Sequence, residues 1–278
     1  MNGRITVHCT TKDRHTEVSL LLQSLRTQSV QEFDIIVLDD ASGLPLSQCY
    51  FFMSIVNRMK IEGHKIKLLR NEISQGVCHA RNTLIENDDF ENEYVYRADD
   101  DTILEADYFE RLLKVISSGY DLASGIVPYN GMPELKREVK NVKPIINRHA
   151  LDAEGNIVVR NDDCGYGYIE SEVLPTHQFR TAALYKKKAF EGIKYPVTLS
   201  FTGFREELWF SFQAILKGLK LGVDTGAIAY HLQTPSGGVR SPDYAQRVML
   251  DEETTNRWVR DMFLKHGNFL LKYEEQFK

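Results

Sequence analysis

The chain has 278 residues, 42% of which are hydrophobic, and a formal net charge of −5. This length and hydrophobic content suffice for one large domain with a substantial core, and they exclude an intrinsically disordered chain. The acidic balance gives no overall basic surface, which counts against a protein that binds nucleic acid mainly through its phosphates.

The cysteines are widely spaced and form no Cys-x-x-Cys pair; they are Cys9, Cys49, Cys78 and Cys164. This spacing argues against a zinc site or a disulfide framework and predicts free thiols in a reducing compartment. The sequence contains neither a signal-peptide pattern nor a run of 18 apolar residues, so we expect a cytoplasmic protein without a transmembrane segment.

Strand-like and helix-like segments alternate through the first 125 residues. The β-rich runs lie at 5–9, 33–38, 66–69, 94–96 and 122–127. Apolar stripes with helical spacing follow the first four runs; one of them consists of Phe52, Ile55, Val56 and Met59. This alternation predicts a parallel α/β sheet, in which ligands bind at the carboxyl ends of the strands.

The second half of the chain is less regular. Residues 128–200 contain several prolines and no sustained periodicity, which predicts irregular structure or an insertion. The elements predicted after this region are a helix at 206–217, short strands at 220–223 and 227–230, a flexible loop at 235–238, and one or two helices from 243 that break near Gly267.

Three consecutive acids, Asp99-Asp100-Asp101, directly follow the fourth strand-like run. In an extended segment, side chains two apart point the same way, so Asp99 and Asp101 are expected on one side and Asp100 on the other. Two carboxylates suit Mg²⁺ or Mn²⁺ holding a diphosphate, because these cations fill their other positions with water and phosphate. A solvated turn or a helix N-terminus is the alternative interpretation.

Polar turns also follow the first three strand-like runs, at 10–14, 39–42 and 71–82. Each turn alone is explained by ordinary turn and capping chemistry, because Asp, Asn, Ser and Gly favour such positions. Four such turns at one edge of a sheet favour a nucleotide site. We therefore compare them as a set.

Together these motifs resemble family 2 glycosyltransferases of the GT-A fold. The matching motifs are Thr10-Thr11-Lys12-Asp13-Arg14, Gln23-Ser24-Leu25-Arg26-Thr27-Gln28-Ser29, Asp39-Asp40-Ala41-Ser42, Asn71 with Gly76 and Ala80-Arg81-Asn82, and Asp99 with Asp101. The resemblance covers residues 4–127 and, more loosely, 179–231. It implies a Rossmann-like α/β fold, with a mixed, mostly parallel sheet flanked by helices and a C-terminal helical extension.

The resemblance also implies a division of the chain and a donor. Residues 1–127 become the nucleotide-sugar-binding half, 128–240 the acceptor-binding and catalytic half, and 241–278 the helical extension. The donor is expected to be a UDP-sugar, with Asp40 accepting from the imide N–H of uracil. The implied donor-binding residues are Thr10, Thr11, Arg14, Asp40, Arg81, Asp99 and Asp100. Arg81 has a second interpretation as a structural partner of Asp40 or Asp99.

The metal and the catalytic base are assigned by the same resemblance. Asp101, Asp99 and His231 are the implied ligands of Mn²⁺ or Mg²⁺. Glu207 is the implied general base, with Glu206 as the alternative, although an acid in the first turn of a helix also suits the helix dipole. A carboxylate in a partly desolvated pocket can take up the proton of an acceptor hydroxyl.

The expected reaction inverts the anomeric carbon by direct displacement. A retaining GT-A enzyme and a non-catalytic nucleotide-sugar-binding protein are the alternatives, whereas a nucleotidyltransferase is disfavoured because its Gly-rich first loop is absent. The acceptor carries a hydroxyl and is a glycan, a lipid-linked sugar, a protein or a modified nucleic acid. Its contacts are expected at 162–168, which is otherwise an exposed turn, and in the C-terminal stretch 244–277. The helices of that stretch are otherwise expected to pack on the catalytic domain or to form a homodimer.

Overall fold

The computed structural model describes residues 4–127, 148–151, 157–160, 172–179 and 181–277. The strands are β1 Ile5–Thr11, β2 Phe33–Asp39, β3 Ile66–Arg70, β4 Tyr94–Asp99, β5 Thr102–Leu104, β6 Leu122–Ile126, β7 Arg148–Leu151, β8 Ile157–Arg160, β9 Val173–Pro175, β10 Ala183–Lys186 and β11 Leu221–His231. The helices are α1 His15–Arg26, α2 Tyr50–Ile61, α3 Val77–Glu86, α4 Tyr108–Ser117, α5 Glu206–Leu216, α6 Tyr244–His266 and α7 Phe269–Glu274.

One large sheet contains most of these strands, in the order β3-β2-β1-β4-β10-β6-β11-β5, and β9 also pairs with β11. The pairs β3/β2, β2/β1, β1/β4 and β6/β11 are parallel. Strand β10 runs antiparallel between β4 and β6, and β7 and β8 form a separate antiparallel pair. The mixed, mostly parallel sheet predicted from the sequence is therefore confirmed.

The sequence of β2 shows how helices come to cover both faces of this sheet. Ile35 and Val37 belong to the same buried cluster as apolar residues of α1, α2 and α4. Ile36 and Leu38 point the other way and pack with apolar residues of α3. An almost continuous apolar run is the expected pattern for a parallel strand that is buried on both faces.

The prediction of irregular structure at 128–200 is wrong where β10 lies. This four-residue strand occupies the middle of the sheet, and its Ala183, Leu184 and Tyr185 are almost fully buried. So short a strand shows no periodicity in the sequence. The two strands predicted at 220–223 and 227–230 are instead one strand, β11, with an irregular register between Val223 and Ile228.

The C-terminal extension forms two helices separated at Gly267, as predicted, and packs against the apolar residues of α5. The buried stripe of α6 has four members at every fourth position, namely Asp251, Thr255, Val259 and Phe263. Trp258 of α6 stacks on Trp209 of α5 with ring centroids 4.1 Å apart. The extension therefore packs directly on α5. In the described part of the chain, no helix has the length and apolarity that a membrane crossing requires.

Candidate active site

A cavity of about 450 Å³ opens where the ends of β1, β2 and β4 meet the start of α5. Parallel strands bring their carboxyl ends to one edge of a sheet, so the turns that follow them share this cavity. The residues predicted to serve the donor, the metal or catalysis all line it; they are Thr10, Thr11, Arg14, Asp40, Arg81, Asp99, Asp100, Asp101, Glu206, Glu207 and His231. The segment 162–168 lies outside the described residues.

The carboxylate of Asp40, directly after β2, holds the loop that precedes α3. Its Oδ1 accepts hydrogen bonds from the Asn71 side chain at 2.7 Å and from the Gln75 N–H at 3.2 Å. Its Oδ2 accepts from the Ser74 hydroxyl at 2.6 Å and from the Gly76 N–H at 3.3 Å. A carboxylate offers about four acceptor positions, so a uracil imide N–H has to replace one of these donors.

Arg14 donates hydrogen bonds both to the acidic triplet and to the loop after β11. Its Nη1 donates to Asp100 Oδ1 at 3.0 Å and to Asp101 Oδ2 at 3.1 Å. Its Nε and Nη2 donate to the carbonyl oxygens of Ser236 and Thr234, both at 3.1 Å. All three guanidinium nitrogens are therefore engaged within the protein, and Arg14 has a structural role that the motif alone did not indicate.

The acidic triplet does not continue the strand, and the alternation predicted for it is wrong. Strand β4 ends at Asp99, and Asp100 and Asp101 form a turn before β5. Because side chains in a turn do not alternate, Asp100 faces inward, and its Oδ2 accepts from the Thr11 hydroxyl at 2.7 Å. Burial raises the pKa of Asp100 to about 7, although Arg14 acts in the opposite direction.

Two arginines and two carboxylates form a buried cluster at the cavity wall. Arg81 Nη2 donates to Asp99 Oδ1 at 2.6 Å, and Arg97 Nη2 donates to Glu206 Oε1 at 2.7 Å. Arg81 Nε also lies 2.9 Å from Glu206 Oε1. Burial acts to raise the pKa of Asp99, but the charges of Arg97 and Arg81 outweigh it and hold that pKa well below its ordinary value. The formal charges of the cluster cancel, which offsets the cost of burying ions.

Glu206 and Glu207 both open α5, but their surroundings differ. Glu206 is only 3% exposed and contacts both arginines of the cluster, whereas Glu207 is partly exposed and lines the cavity. Burial, followed by the charge of Glu206, raises the pKa of Glu207 to about 8. A carboxylate tuned in this way can exchange a proton near neutral pH.

The three predicted metal ligands do not form one group. No three His, Cys, Asp or Glu side chains are placed to hold a metal ion among the described residues, and Asp99 instead accepts from Arg81 and Thr181. Asp101 Oδ1 lies 3.0 Å from His231 Nε2. Adjacent ligands of an octahedral Mg²⁺ with bonds near 2.1 Å are about 3 Å apart. Asp101 and His231 are therefore close enough to be adjacent ligands of one metal ion, whereas Asp99 is engaged by Arg81 and Thr181.

Three residues that hold this site together were not found from the sequence: Arg97, Thr181 and Asp251. A signal existed for Arg97, since a charged residue within an apolar, buried strand needs an ionic partner. Thr181 precedes the short strand β10, and Asp251 lies on a helix that carries charges on several sides. Neither of these two has a local pattern that marks its role.

The sheet and the cavity at its carboxyl edge together define the class: this is a protein with the GT-A fold. The chain belongs to the glycosyl transferase family 2, whose pattern matches residues 6–192. This match confirms the family and the fold predicted from the motifs. No curated protein sequence matches the chain.

Solved structures share the fold at low sequence identity. The 1–349 fragment of S. aureus TarS in complex with UDP has a TM-score of 0.57 and 18% identity, over 84% of this chain and 61% of that one. The same fragment with UDP-GlcNAc gives 0.60 and 16%, over 89% and 65%. GalNAc-T7 with UDP, GalNAc and Mn²⁺ gives 0.62 and 14%, over 82% and 44%. The chain thus spans about three fifths of the length of the UDP-bound TarS fragment.

Proposed function

We propose that this chain is an enzyme that transfers a sugar from a UDP-sugar to an acceptor hydroxyl and inverts the anomeric carbon. The observation that carries this proposal is that the Asp40 turn, the acidic triplet and Glu207 line one cavity. Membership of the glycosyl transferase family 2 supports it. The UDP and UDP-GlcNAc complexes of TarS support the choice of donor.

The donor half, 1–127, supplies the nucleotide site in this proposal. Thr10 and Thr11 lie at the end of β1, beside the end of β2 in parallel register, and Asp40 follows β2 directly. We assign the uracil to Asp40 and the ribose to Asp99. The Asp99 side chain keeps 21% of its surface exposed, which leaves an acceptor position for a ribose hydroxyl.

The diphosphate requires positive charge. Asp101 and His231 would hold Mn²⁺ or Mg²⁺, which would neutralise the charge that develops on the departing diphosphate. Arg240 also lines the cavity, with its guanidinium carbon 4.2 Å from the centroid of the Tyr244 ring. It forms no ion pair with any carboxylate of the described residues, so we assign it to the diphosphate as well.

Glu207 is proposed to take the proton of the acceptor hydroxyl. As the acceptor oxygen attacks the anomeric carbon, its proton moves to a carboxylate oxygen of Glu207 and the bond to the diphosphate breaks. One displacement of this kind inverts the configuration. Glu206 is the weaker candidate, because it is only 3% exposed and its Oε1 already contacts Arg81 and Arg97.

The acceptor side is proposed to include the start of the C-terminal extension. Arg247 of α6 lines the cavity together with Phe201 and Phe204 from the segment before α5. The Arg247 guanidinium carbon lies 5.2 Å from the centroid of the Phe201 ring. We therefore assign acceptor binding to residues 128–240 and to the first turns of α6 together.

Product analysis tests this proposal. The protein is incubated with Mn²⁺ and UDP-glucose, UDP-galactose, UDP-GlcNAc or UDP-GalNAc, with a pool of hydroxyl acceptors, and the anomer formed is read by proton NMR. Release of UDP with an inverted anomer is the expected result. A retained anomer contradicts the single displacement, and UDP binding without any transfer or hydrolysis points to a non-catalytic binding protein.

A further inference from the structure

A buried aspartate of the C-terminal extension holds the segment that leads into α5. Asp251 of α6 is 0% exposed. Its Oδ1 accepts from the Ser200 N–H, and its Oδ2 accepts from the Ser200 hydroxyl, the Thr202 hydroxyl and the Phe204 N–H. The four donor–acceptor distances lie between 2.5 and 2.9 Å. One carboxylate therefore satisfies two backbone and two side-chain donors of a single short segment.

This segment, residues 200–205, lacks regular structure that could hold it. Gly203 and Arg205 both have positive φ, at 59° and 68°, and a non-glycine residue in this region is strained. Towards the donor half, the segment accepts one backbone hydrogen bond, from the Val77 N–H to the Phe201 carbonyl at 3.2 Å, and Gly203 lies close to Val77 and Cys78. Its shape thus depends on Asp251, because hydrogen bonds from outside must replace those of a helix or strand.

The same segment sets the position of the proposed base. The Glu206 N–H donates to the Gly203 carbonyl at 3.0 Å, so α5 begins directly from this turn. Glu207 lies two residues beyond Arg205, in the first turn of α5. A shift of the segment is therefore transmitted to the Glu207 carboxylate through only a few bonds.

We propose that Asp251 is a positioning residue for Glu207, so that the C-terminal extension is a working part of the active site. This inference rests on the proposed glycosyl transfer. Within the described residues, the hydrogen bonds of Asp251 go to the segment alone, and none goes to Thr10, Thr11, Asp40 or the acidic triplet. Its loss should therefore impair the chemical step and leave the binding of UDP intact.

The Asp251→Asn variant tests this role. An amide keeps the size of the side chain but replaces one acceptor oxygen with a donor, which faces other donors at this site. A displacement of about 1 Å at a reacting group can cost about 10²-fold in rate. We expect kcat for UDP release from the UDP-sugar that the wild type uses best to fall by about that factor, with the Kd for UDP unchanged.

Thr255→Val is the matched control. Thr255 is also fully buried on α6, and it accepts a hydrogen bond from Trp209 Nε1 at 3.0 Å, but it has no hydrogen bond to the segment 200–205. This variant weakens the packing of α6 on α5 without altering a hydrogen bond of the segment, so it should leave kcat near the wild-type value. Thermal unfolding of both variants confirms that each is folded at the assay temperature.

Two results would overturn the positioning role. In one, Asp251→Asn and Thr255→Val lose activity equally, in proportion to their loss of stability. In the other, Asp251→Asn weakens UDP binding as much as it lowers kcat. If the wild type itself binds no UDP, the proposed function fails instead, and this outcome is distinguished by the titration of the wild type alone.

Discussion

The two sides of the cavity are built by different means. On the donor side, the site residues lie in turns after β1, β2 and β4, and three neighbouring strands of the sheet determine where those turns meet. On the proposed acceptor side, Glu207 follows the irregular segment 200–205, which donates four hydrogen bonds to Asp251 of α6. A sheet edge places side chains through regular geometry, whereas a loop needs buried polar partners from elsewhere in the chain.

Glu207→Gln gives the largest expected contrast between the two sides. It removes the base while keeping the shape of the side chain, so kcat for sugar transfer should fall by about 10²–10⁴-fold and the Kd for UDP should not change. Steady-state UDP release and calorimetry measure the two quantities. Glu253→Gln, at an exposed position of α6, is the control. Wild-type kcat in Glu207→Gln would place the base elsewhere.

Arg97→Met breaks the cluster that joins the two sides. Arg97 is only 4% exposed, and its removal leaves Glu206 and Asp99 with a single buried arginine. Breaking a buried ion pair costs about 3–5 kcal/mol, which a urea unfolding curve measures.

The control for Arg97 is an ion pair at the surface. Lys194 and Glu86 lie 2.6 Å apart with more than half of each side chain exposed, so Lys194→Met should cost below about 1 kcal/mol. Equal losses of stability in Arg97→Met and Lys194→Met would show that the cluster does not stabilise the fold.

Gly76→Ala adds a Cβ where the loop before α3, on the donor side, contacts the segment 200–205, on the acceptor side. A Cβ at this position would lie 2.8 Å from the Phe201 Cα, and the backbone has φ of 86°. Backbone strain of this kind costs about 1–3 kcal/mol, to which the contact with Phe201 adds. Gly63→Ala has a similar φ, 101°, but nothing within 4 Å of the new Cβ, so it isolates the strain. Equal destabilisation of the two variants would contradict a tight contact between the sides.

The smallest expected effect is a shift in pH dependence. Glu207 must lose its proton before it can accept one, so kcat should rise with pH through a midpoint near its raised pKa of about 8. The charge of Glu206 is the second cause of the raised pKa of Glu207. Glu206→Gln should therefore lower that pKa and move the midpoint of the kcat profile to lower pH. A midpoint that stays in place or moves upward in this variant would rule out coupling between the two acids.

The sequence predicted which residues meet at the carboxyl edge of the sheet, because the motifs that contain them are local. Asp40 directly follows a strand that its apolar run predicts, and Arg81 lies within the helix after the next strand, so parallel pairing brings both to one edge of the sheet. The orientation of Asp100 and the role of Asp251 could not be predicted from the sequence. A tight turn replaces the extended backbone expected at Asp100, and only a tertiary contact defines the role of Asp251. Strand β10 was not predicted, because four residues are too few to show a hydrophobic period.

We propose above all that the cavity at the sheet edge binds the nucleotide of a UDP-sugar. Calorimetric titration of UDP in the presence of Mn²⁺, into the wild type and into Asp40→Asn, tests it most directly. We predict that the wild type binds UDP and that Asp40→Asn, still folded, binds it at least about tenfold more weakly, a difference of about 1.4 kcal/mol. Absence of UDP binding to the wild type, or equal affinity in the two proteins, would contradict the claim.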